Sequence, residues 1–172
     1  LDGINIHDTL EPKASAQIVI EHVSKGSALA KRYGLPNRLI DFIPQHHGTT
    51  LAAYLHRKAL KANGDALINE KDYRYPGPKP QSRETAILML ADGVEATTRA
   101  ERPANPEQIR AIIDRIVGER LRDGQLDESD LTLRDLQEIK RAFFDILQGL
   151  YHPRVKYPEL EPPRAQEQTH DH

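Results

Sequence analysis

The helical spacing of apolar residues along nearly the whole chain is the feature that most constrains its fold. The last third carries one such stripe, formed by Leu133, Leu136, Ile139, Phe143, Ile146, Leu147 and Leu150. Side chains that recur every three or four positions face a core from one side of a helix. We find no strand alternation, no internal repeat and no glycine-rich phosphate loop. The sequence therefore predicts an all-α domain, a single bundle of about six or seven helices.

Proline, glycine and hydroxyl residues predict where these helices begin and end. Pro12 and Pro36 are tolerated in a first helical turn, Gly34 is typical of the position just past a helix, and Ser82 and Thr132 are typical caps. The predicted helices cover residues 11–23, 25–33, 36–47, 50–63, 107–122 and 132–151, with another that starts at residue 82 and stops before the proline at 103.

The side chains of these helices are predicted to divide between core and solvent. Ala86 to Ala91 are apolar on every face, which predicts a buried central helix. The other predicted inward residues are Ala14, Ile18 and His22 on the first helix, Leu51, Tyr54, Leu55 and Ala59 on the fourth, and Ile109, Ile112, Ile113, Ile116, Val117 and Leu121 on the sixth.

Composition excludes several classes of function. The 172 residues are 38% hydrophobic and 29% charged, as in one ordinary soluble domain. With a net charge of −2, the chain has no excess of basic residues that would bind along a phosphate backbone. We therefore expect no nucleic-acid polymer as a partner. Because there is no cysteine, metal chemistry would depend on the eight histidines and the carboxylates, which suit iron, manganese or zinc. No apolar run is long enough to span a bilayer, and no signal peptide opens the chain.

Two adjacent histidines, His46 and His47, close one predicted helix and are followed by Gly48, Thr49 and Thr50. Neutral imidazole is the commonest metal ligand, and the negative end of a helix dipole favours a cation beside it. Glycine fits the left-handed position past a helix, and either threonine can cap the next helix. The pattern predicts a metal site, and the alternative is a pair of solvated histidines at a helix end.

Two further residues are candidates for the same site. His22 lies on the predicted apolar face of the first helix, where it is either a hydrogen-bonded core histidine or a ligand. Asp92 follows the apolar run of the central helix, where a carboxylate is costly to bury without a cation. Arg83, Arg99 or a metal would each supply the positive charge that the carboxylate of Asp92 needs.

The loop between the fourth and fifth long segments contains Arg74, Tyr75 and Lys79 among prolines. An aromatic face and two cations are suited to stacking a base and holding a phosphate, while a proline-rich covering strap is the alternative. The acidic stretch at 123–130 lacks the alternating ligands of a calcium loop, so we interpret it as turn and capping residues.

The order of these motifs resembles the HD superfamily of metal-dependent phosphohydrolases. More narrowly, residues 41–51, 74–82, 89–96 and 123–127 resemble the cytoplasmic HD domain of membrane-anchored, PgpH-type cyclic di-AMP phosphodiesterases. The resemblance covers the chain up to about residue 157. It divides the chain into an HD-type domain, 1–157, and a flexible polar tail, 158–172.

The resemblance implies an HD-type helical bundle that holds two divalent metals, iron or manganese, with a bridging hydroxide that attacks a phosphodiester phosphorus. By matching motif, His22, His46 and His47 would ligate one metal and Asp92 the other, while Arg74, Tyr75 and Lys79 would border a cyclic dinucleotide. It also implies a cytoplasmic domain of a bacterial inner-membrane protein, attached to the membrane through parts outside this sequence.

The chain also departs from the family pattern. The first metal-binding histidine and the defining His-Asp pair of the family precede the region where this sequence starts, and it starts without methionine. We interpret both His7-Asp8 and His170-Asp171 as unrelated to that pair. The first lies in a polar lead-in without the buried helix that the motif needs, and the second lies in the tail. We therefore expect at most one well-held metal and poor turnover in this chain, while the intact protein would convert cyclic di-AMP to linear pApA.

Two alternatives remain open from the sequence. One keeps the metal chemistry and changes the substrate to another nucleotide. The other is a regulatory domain that binds a nucleotide without hydrolysing it.

Overall fold

The computed structural model of the chain describes residues 10–63 and 68–151. Its α-helices are α1 (Pro12–Arg32), α2 (Asn37–Ile40), α3 (Phe42–Gln45), α4 (Ala53–Asn63), α5 (Arg83–Glu101), α6 (Pro106–Arg122) and α7 (Leu133–Tyr151), with a 3-10 turn at Glu70–Tyr73. Within these residues the only extended pairing is a single bridge between Leu51 and Arg74. The all-α prediction is confirmed.

Helix α1 replaces two predicted helices. The predicted break near Ser24 and Lys25 is helical, and the hydroxyl of Ser27 donates to the carbonyl of Val23 at 2.9 Å. Gly26 does not interrupt the helix but lets it approach α3, because a Cβ there would lie 3.1 Å from Cγ2 of Ile43. The helix ends where predicted, at Gly34 with φ +68°.

The caps of the later helices follow the predicted chemistry. Ser82 and Thr85 form a reciprocal capping box at the start of α5. Thr132 starts α7 in the same way, since its hydroxyl accepts from the amide of Asp135 at 3.1 Å while that carboxylate accepts from the amide of Thr132 at 2.9 Å. These contacts supply partners for amide groups that have none inside the helix.

The core is divided between two groups of helices. The larger part joins α5, α6 and α7 and consists of Ala86, Met89, Leu90, Val94, Ile109, Ile112, Ile113, Ile116, Val117, Leu126, Leu136, Ile139, Phe144 and Leu147. The smaller part joins α1, α4 and the 3-10 turn through Ala16, Leu55, Ala59 and Tyr73. Short helix α3 contacts both α1 and α5, so the turn that follows it lies between the two groups.

Several predicted core residues are exposed. Exposures between 40% and 76% are found for Ile18, Tyr54, Leu121, Leu133, Ile146 and Leu150. In α7, Phe144 is buried in the core although it was not part of the predicted stripe. Ile87 and Leu88 are 38% and 39% exposed, so α5 is buried on one face and not all round. Spacing identifies the apolar stripe of a helix, but neighbouring helices decide how much of it is covered.

Candidate metal centre

Three histidine side chains converge from two separate parts of the chain. His22 projects from the middle of α1, and His46 and His47 follow α3. The Nε2 atoms of His22 and His46 are 3.4 Å apart, and one ring nitrogen from each of the three lies within 4.8 Å of the others. In the described part of the chain this is the group of side chains whose donor atoms are close enough to share one ion.

The turn that carries His46 and His47 requires the glycine after them. Gly48 has φ +53°, and a Cβ there would lie 2.4 Å from Oε1 of Gln125 and 2.7 Å from Cε of Met89. Neither threonine caps α4 as predicted, because that helix begins at Ala53. Thr50 instead turns back and donates through its hydroxyl to the carbonyl of His47 at 2.7 Å.

Backbone carbonyls orient two of the three rings. Nδ1 of His46 lies 2.7 Å from the carbonyl oxygen of Ile43, and Nδ1 of His22 faces the carbonyl oxygen of Val19. A carbonyl only accepts, so we assign the proton of each neutral ring to Nδ1. The two Nε2 atoms then face each other with lone pairs, and neither can donate to the other.

A divalent metal fits between these nitrogens. With metal–nitrogen bonds of about 2.1 Å, two ligands of one ion are at most about 4.2 Å apart. The 3.4 Å between Nε2 of His22 and Nε2 of His46 lies within that limit. The carbonyls of Val19 and Ile43 are placed to hold these two imidazoles in one tautomer, as the outer partners of metal-ligating histidines do.

The third imidazole is kept neutral by its surroundings. Burial, with smaller effects from His46, His22 and Arg120, lowers the pKa of His47 to about 3. Its ring stacks on Tyr75, with ring centroids 4.2 Å apart and planes 27° from parallel. Because metals bind the deprotonated ring, His47 is in its ligating form at neutral pH.

Asp92 of α5 lies beside the three imidazoles. Its Oδ2 is 3.7 Å from Nδ1 of His47, and its side chain is 43% exposed. The predicted desolvation is therefore wrong, and so are the predicted ion pairs. Arg83 pairs with Asp135 and Arg99 pairs with Glu95. Among the described residues, Asp92 therefore forms no ion pair with an arginine.

Of the three loop residues predicted to border a substrate, only Tyr75 reaches the histidines. Its ring stacks on His47, and burial, with a smaller effect from Asp92, raises its pKa to about 12. Arg74 is engaged elsewhere, because Nε and Nη2 each lie 2.8 Å from the carboxylate of Glu70 while Nη1 donates to the carbonyl of Thr49 at 2.9 Å. This tethering is structural and leaves Arg74 little freedom to contact a ligand.

Lys79 lies on another side of the same loop. Its Nζ is 3.5 Å from the point where a Cβ on Gly124 would be. The side chain therefore faces the turn after α6, and its predicted contact with a substrate remains a prediction.

Sequence reasoning assigned no role in the site to Gln125. Its side chain is 1% exposed, and its Oε1 accepts from the amide of Thr49 at 3.0 Å. Its Nε2 donates to the hydroxyl of Thr49 at 2.9 Å and to Oδ2 of Asp123 at 3.0 Å. Gln125 therefore fixes the backbone that carries His46 and His47, across 76 positions of sequence that no local pattern spans.

Arg120 was also missed, although its spacing gave a signal. It follows Ile113, Ile116 and Val117 on the inward side of α6, three or four positions apart. Its charge lies close enough to His47 and Tyr75 to lower the pKa of each.

Other sequence-based expectations lie outside the described residues. These are the assignments of His7-Asp8, His170-Asp171 and the tail at 158–172. Across residues 10–63 and 68–151, none of the helices combines the length and hydropathy that crossing a bilayer would require.

Comparison with known proteins identifies relatives over most of the chain. No protein-family model matches the chain. It is 43% identical over 155 residues to the cyclic-di-AMP phosphodiesterase PgpH of Bacillus subtilis and 42% identical over 159 residues to that of Listeria monocytogenes. These alignments cover 90% and 92% of this chain and 22% of each relative, so the chain spans about a fifth of their length.

A solved structure matches in three dimensions as well. The HD domain of PgpH from L. monocytogenes, in complex with cyclic-di-AMP, superposes with a TM-score of 0.82 at 41% sequence identity. The match covers 90% of this chain and 71% of that domain, and a second crystal structure of the same domain matches with a TM-score of 0.81. HD-type domains of this kind depend on divalent metal, which agrees with the histidine cluster. The chain therefore belongs to the family of PgpH-type HD domains.

Proposed function

We propose that this chain is the metal-dependent phosphodiesterase domain of a longer protein and that its substrate is cyclic di-AMP, which it opens to linear pApA. One observation carries the proposal. A chain 41% identical to the HD domain crystallised with cyclic-di-AMP brings His22, His46 and His47 together with their ligating nitrogens facing one another.

His22, His46 and His47 would hold a divalent ion. Iron or manganese is the choice that the family resemblance implies, and imidazole ligands suit iron. The ion would supply Lewis acidity and a local positive charge for the phosphodiester, which lower the barrier to hydrolysis. Asp92 would contribute to a second metal position beside His47, because it is the carboxylate that faces the cluster.

The remaining side chains shape the site. The carbonyls of Val19 and Ile43 hold the protons of His22 and His46 on Nδ1. Tyr75 covers one face of His47 with a neutral phenol and offers the edge of its ring and its hydroxyl to a bound nucleotide. Gln125 and Arg74 keep Thr49, and with it the histidine turn, in place.

We further propose that full activity needs residues outside this chain, since the described residues supply one group of three imidazoles that can share an ion. The whole protein would also carry the segments that attach this domain to a membrane, in line with the small share of the relatives that the chain spans.

The test combines metal analysis with chromatographic detection of pApA from cyclic di-AMP in the presence of Mn²⁺. We expect slow, metal-dependent hydrolysis by the chain, faster hydrolysis by a version extended upstream by some tens of residues, and none when His46→Gln is introduced in either. Equal activity of the two lengths would contradict the need for further ligands. Nucleotide binding without hydrolysis at both lengths would instead establish the regulatory alternative, and hydrolysis of a different nucleotide would correct the substrate.

A further inference from the structure

Arg120 of α6 is a half-buried cation whose charge reaches the histidine cluster. Its guanidinium lies over Gly93 of α5, where a Cβ would be 3.4 Å from Nη2 of Arg120 and 3.1 Å from Cγ2 of Ile116. The absent side chain of Gly93 thus leaves the space that the guanidinium fills, next to Asp92 in the sequence. A larger residue at 93 would displace the guanidinium from this position.

No partner for this charge exists among the described residues. The Nε atom of Arg120 is buried without a hydrogen-bond acceptor, and none of the ion pairs in residues 10–63 and 68–151 includes its guanidinium. Arg83, Arg99 and Arg115 show the ordinary pattern, since each pairs with a carboxylate at 2.5 to 3.2 Å. A buried donor without an acceptor is costly, and in native proteins such a group commonly has a specific explanation, such as a catalytic role or a bound water or ion.

The surroundings of Arg120 place its charge on the side of the domain that carries the histidines. Burial lowers the pKa of Arg120, while Glu119, Asp123 and Asp92 act in the opposite direction from a distance. The positive charge of Arg120 contributes to lowering the pKa of His47 and opposes the rise in the pKa of Tyr75. An arginine stays protonated even with a lowered pKa, so the site keeps a fixed positive charge.

We propose that Arg120 binds a phosphate group of the nucleotide through the N–H groups of its two terminal nitrogens. A guanidinium presents these two donors side by side, which matches the spacing of phosphate oxygens. The assignment rests on the proposed function for the identity of the ligand. It also gives the site a cation in place of Arg74, whose donors are occupied by Glu70 and Thr49.

The experiment measures the affinity of inorganic phosphate for the Mn²⁺-loaded chain by titration calorimetry. Arg120→Met removes the charge and keeps an apolar side chain of similar length, Arg120→Lys keeps the charge without the paired donors, and Arg122→Met is the matched control on the exposed face of the same helix. Because hydrogen bonds to charged groups are stronger than those between neutral groups, we expect Arg120→Met to weaken phosphate binding roughly 10- to 100-fold. Arg120→Lys should fall between, and Arg122→Met should change affinity by less than about twofold.

Thermal unfolding without ligand separates binding from structure. An unpaired buried charge predicts that Arg120→Met leaves Tm unchanged or raises it. If Arg120→Met lowers Tm and leaves phosphate affinity unchanged, Arg120 is structural and the proposal is wrong. If Arg120→Met does not fold, Arg120→Lys decides, since wild-type phosphate affinity in that variant would also overturn the proposal.

The two proposals fail in different ways. Absence of phosphate binding to the wild-type chain overturns the role of Arg120, whatever the chain hydrolyses. If Arg120→Met loses phosphate binding, the anion site is supported. If the wild-type chain also hydrolyses no nucleotide, the phosphodiesterase assignment is contradicted while the anion site stands.

Discussion

Substituting Gly48 by alanine should be far more damaging than the same change at Gly34. Both glycines have positive φ, +53° at Gly48 and +68° at Gly34. A left-handed alanine costs roughly 1–2 kcal/mol at either position. The gain from a less flexible unfolded chain is also common to both, so it cancels in the comparison.

The difference comes from what the added methyl group meets. At Gly34 nothing lies within 4 Å of it, whereas at Gly48 it would lie 2.4 Å from Oε1 of Gln125 and 2.7 Å from Cε of Met89. Both neighbours are buried, at 1% exposure each, so they cannot move into solvent. Overpacking of this kind adds about 1–3 kcal/mol. We therefore expect Gly48→Ala to cost roughly 2–5 kcal/mol and Gly34→Ala roughly 1–2 kcal/mol.

Denaturant unfolding of the metal-free chain measures the two free energies of unfolding directly. In thermal scans, each kcal/mol corresponds to about 2–4 °C in a domain of this size. Metal titration adds a second readout, because the collision lies in the histidine turn and should weaken metal binding in Gly48→Ala but not in Gly34→Ala. Equal losses of stability and of metal affinity in the two variants would refute the packing argument.

Three further predictions concern the surroundings of the cluster. Gln125→Leu removes the hydrogen bonds that fix Thr49. Metal affinity should therefore fall about 10- to 100-fold, as it does when other groups that orient ligands are removed. An unchanged metal titration would exclude this role for Gln125. In the metal-free chain His47 stays neutral down to about pH 3 while an unfolded histidine takes up its proton near pH 6.5. The folded state therefore loses stability as pH falls below about 6.5, and between pH 7 and 5.5 denaturant unfolding should show a loss about 1 kcal/mol larger in wild type than in His47→Gln. Tyr75→Ala exposes His47 and should raise its pKa, whereas Tyr75→Phe keeps the stacked ring and should leave that pKa unchanged. NMR titration of the His47 imidazole distinguishes the two variants. Equal pKa values in both would show that burial by Tyr75 does not cause the low pKa of His47.

The helices that a local pattern specifies were predicted well. The apolar stripe of α6 and the caps at Ser82 and Thr132 lie where the sequence indicates, because each depends on residues within a turn or two of one another. Local spacing cannot predict that His22 and His46 converge, because the two residues are 24 positions apart. That prediction came from the family resemblance.

The errors arose where tertiary contacts decide the outcome. A break was predicted between residues 23 and 25, but the helix continues through it, and Gly26 makes room for Ile43 of another helix. Ile18 and Tyr54 fit an apolar stripe and are nevertheless 47% and 67% exposed. Gln125 contacts Thr49 across 76 positions, a pairing that no periodicity reveals.

The central claim is that His22, His46 and His47 bind one metal ion through their ring nitrogens. X-ray absorption spectroscopy of the Co²⁺-loaded chain counts imidazole ligands directly. We predict three imidazoles in the wild-type chain and two in His22→Gln, with weaker binding in the variant. The same number of imidazoles in both, or a spectrum with oxygen ligands alone, would contradict the account.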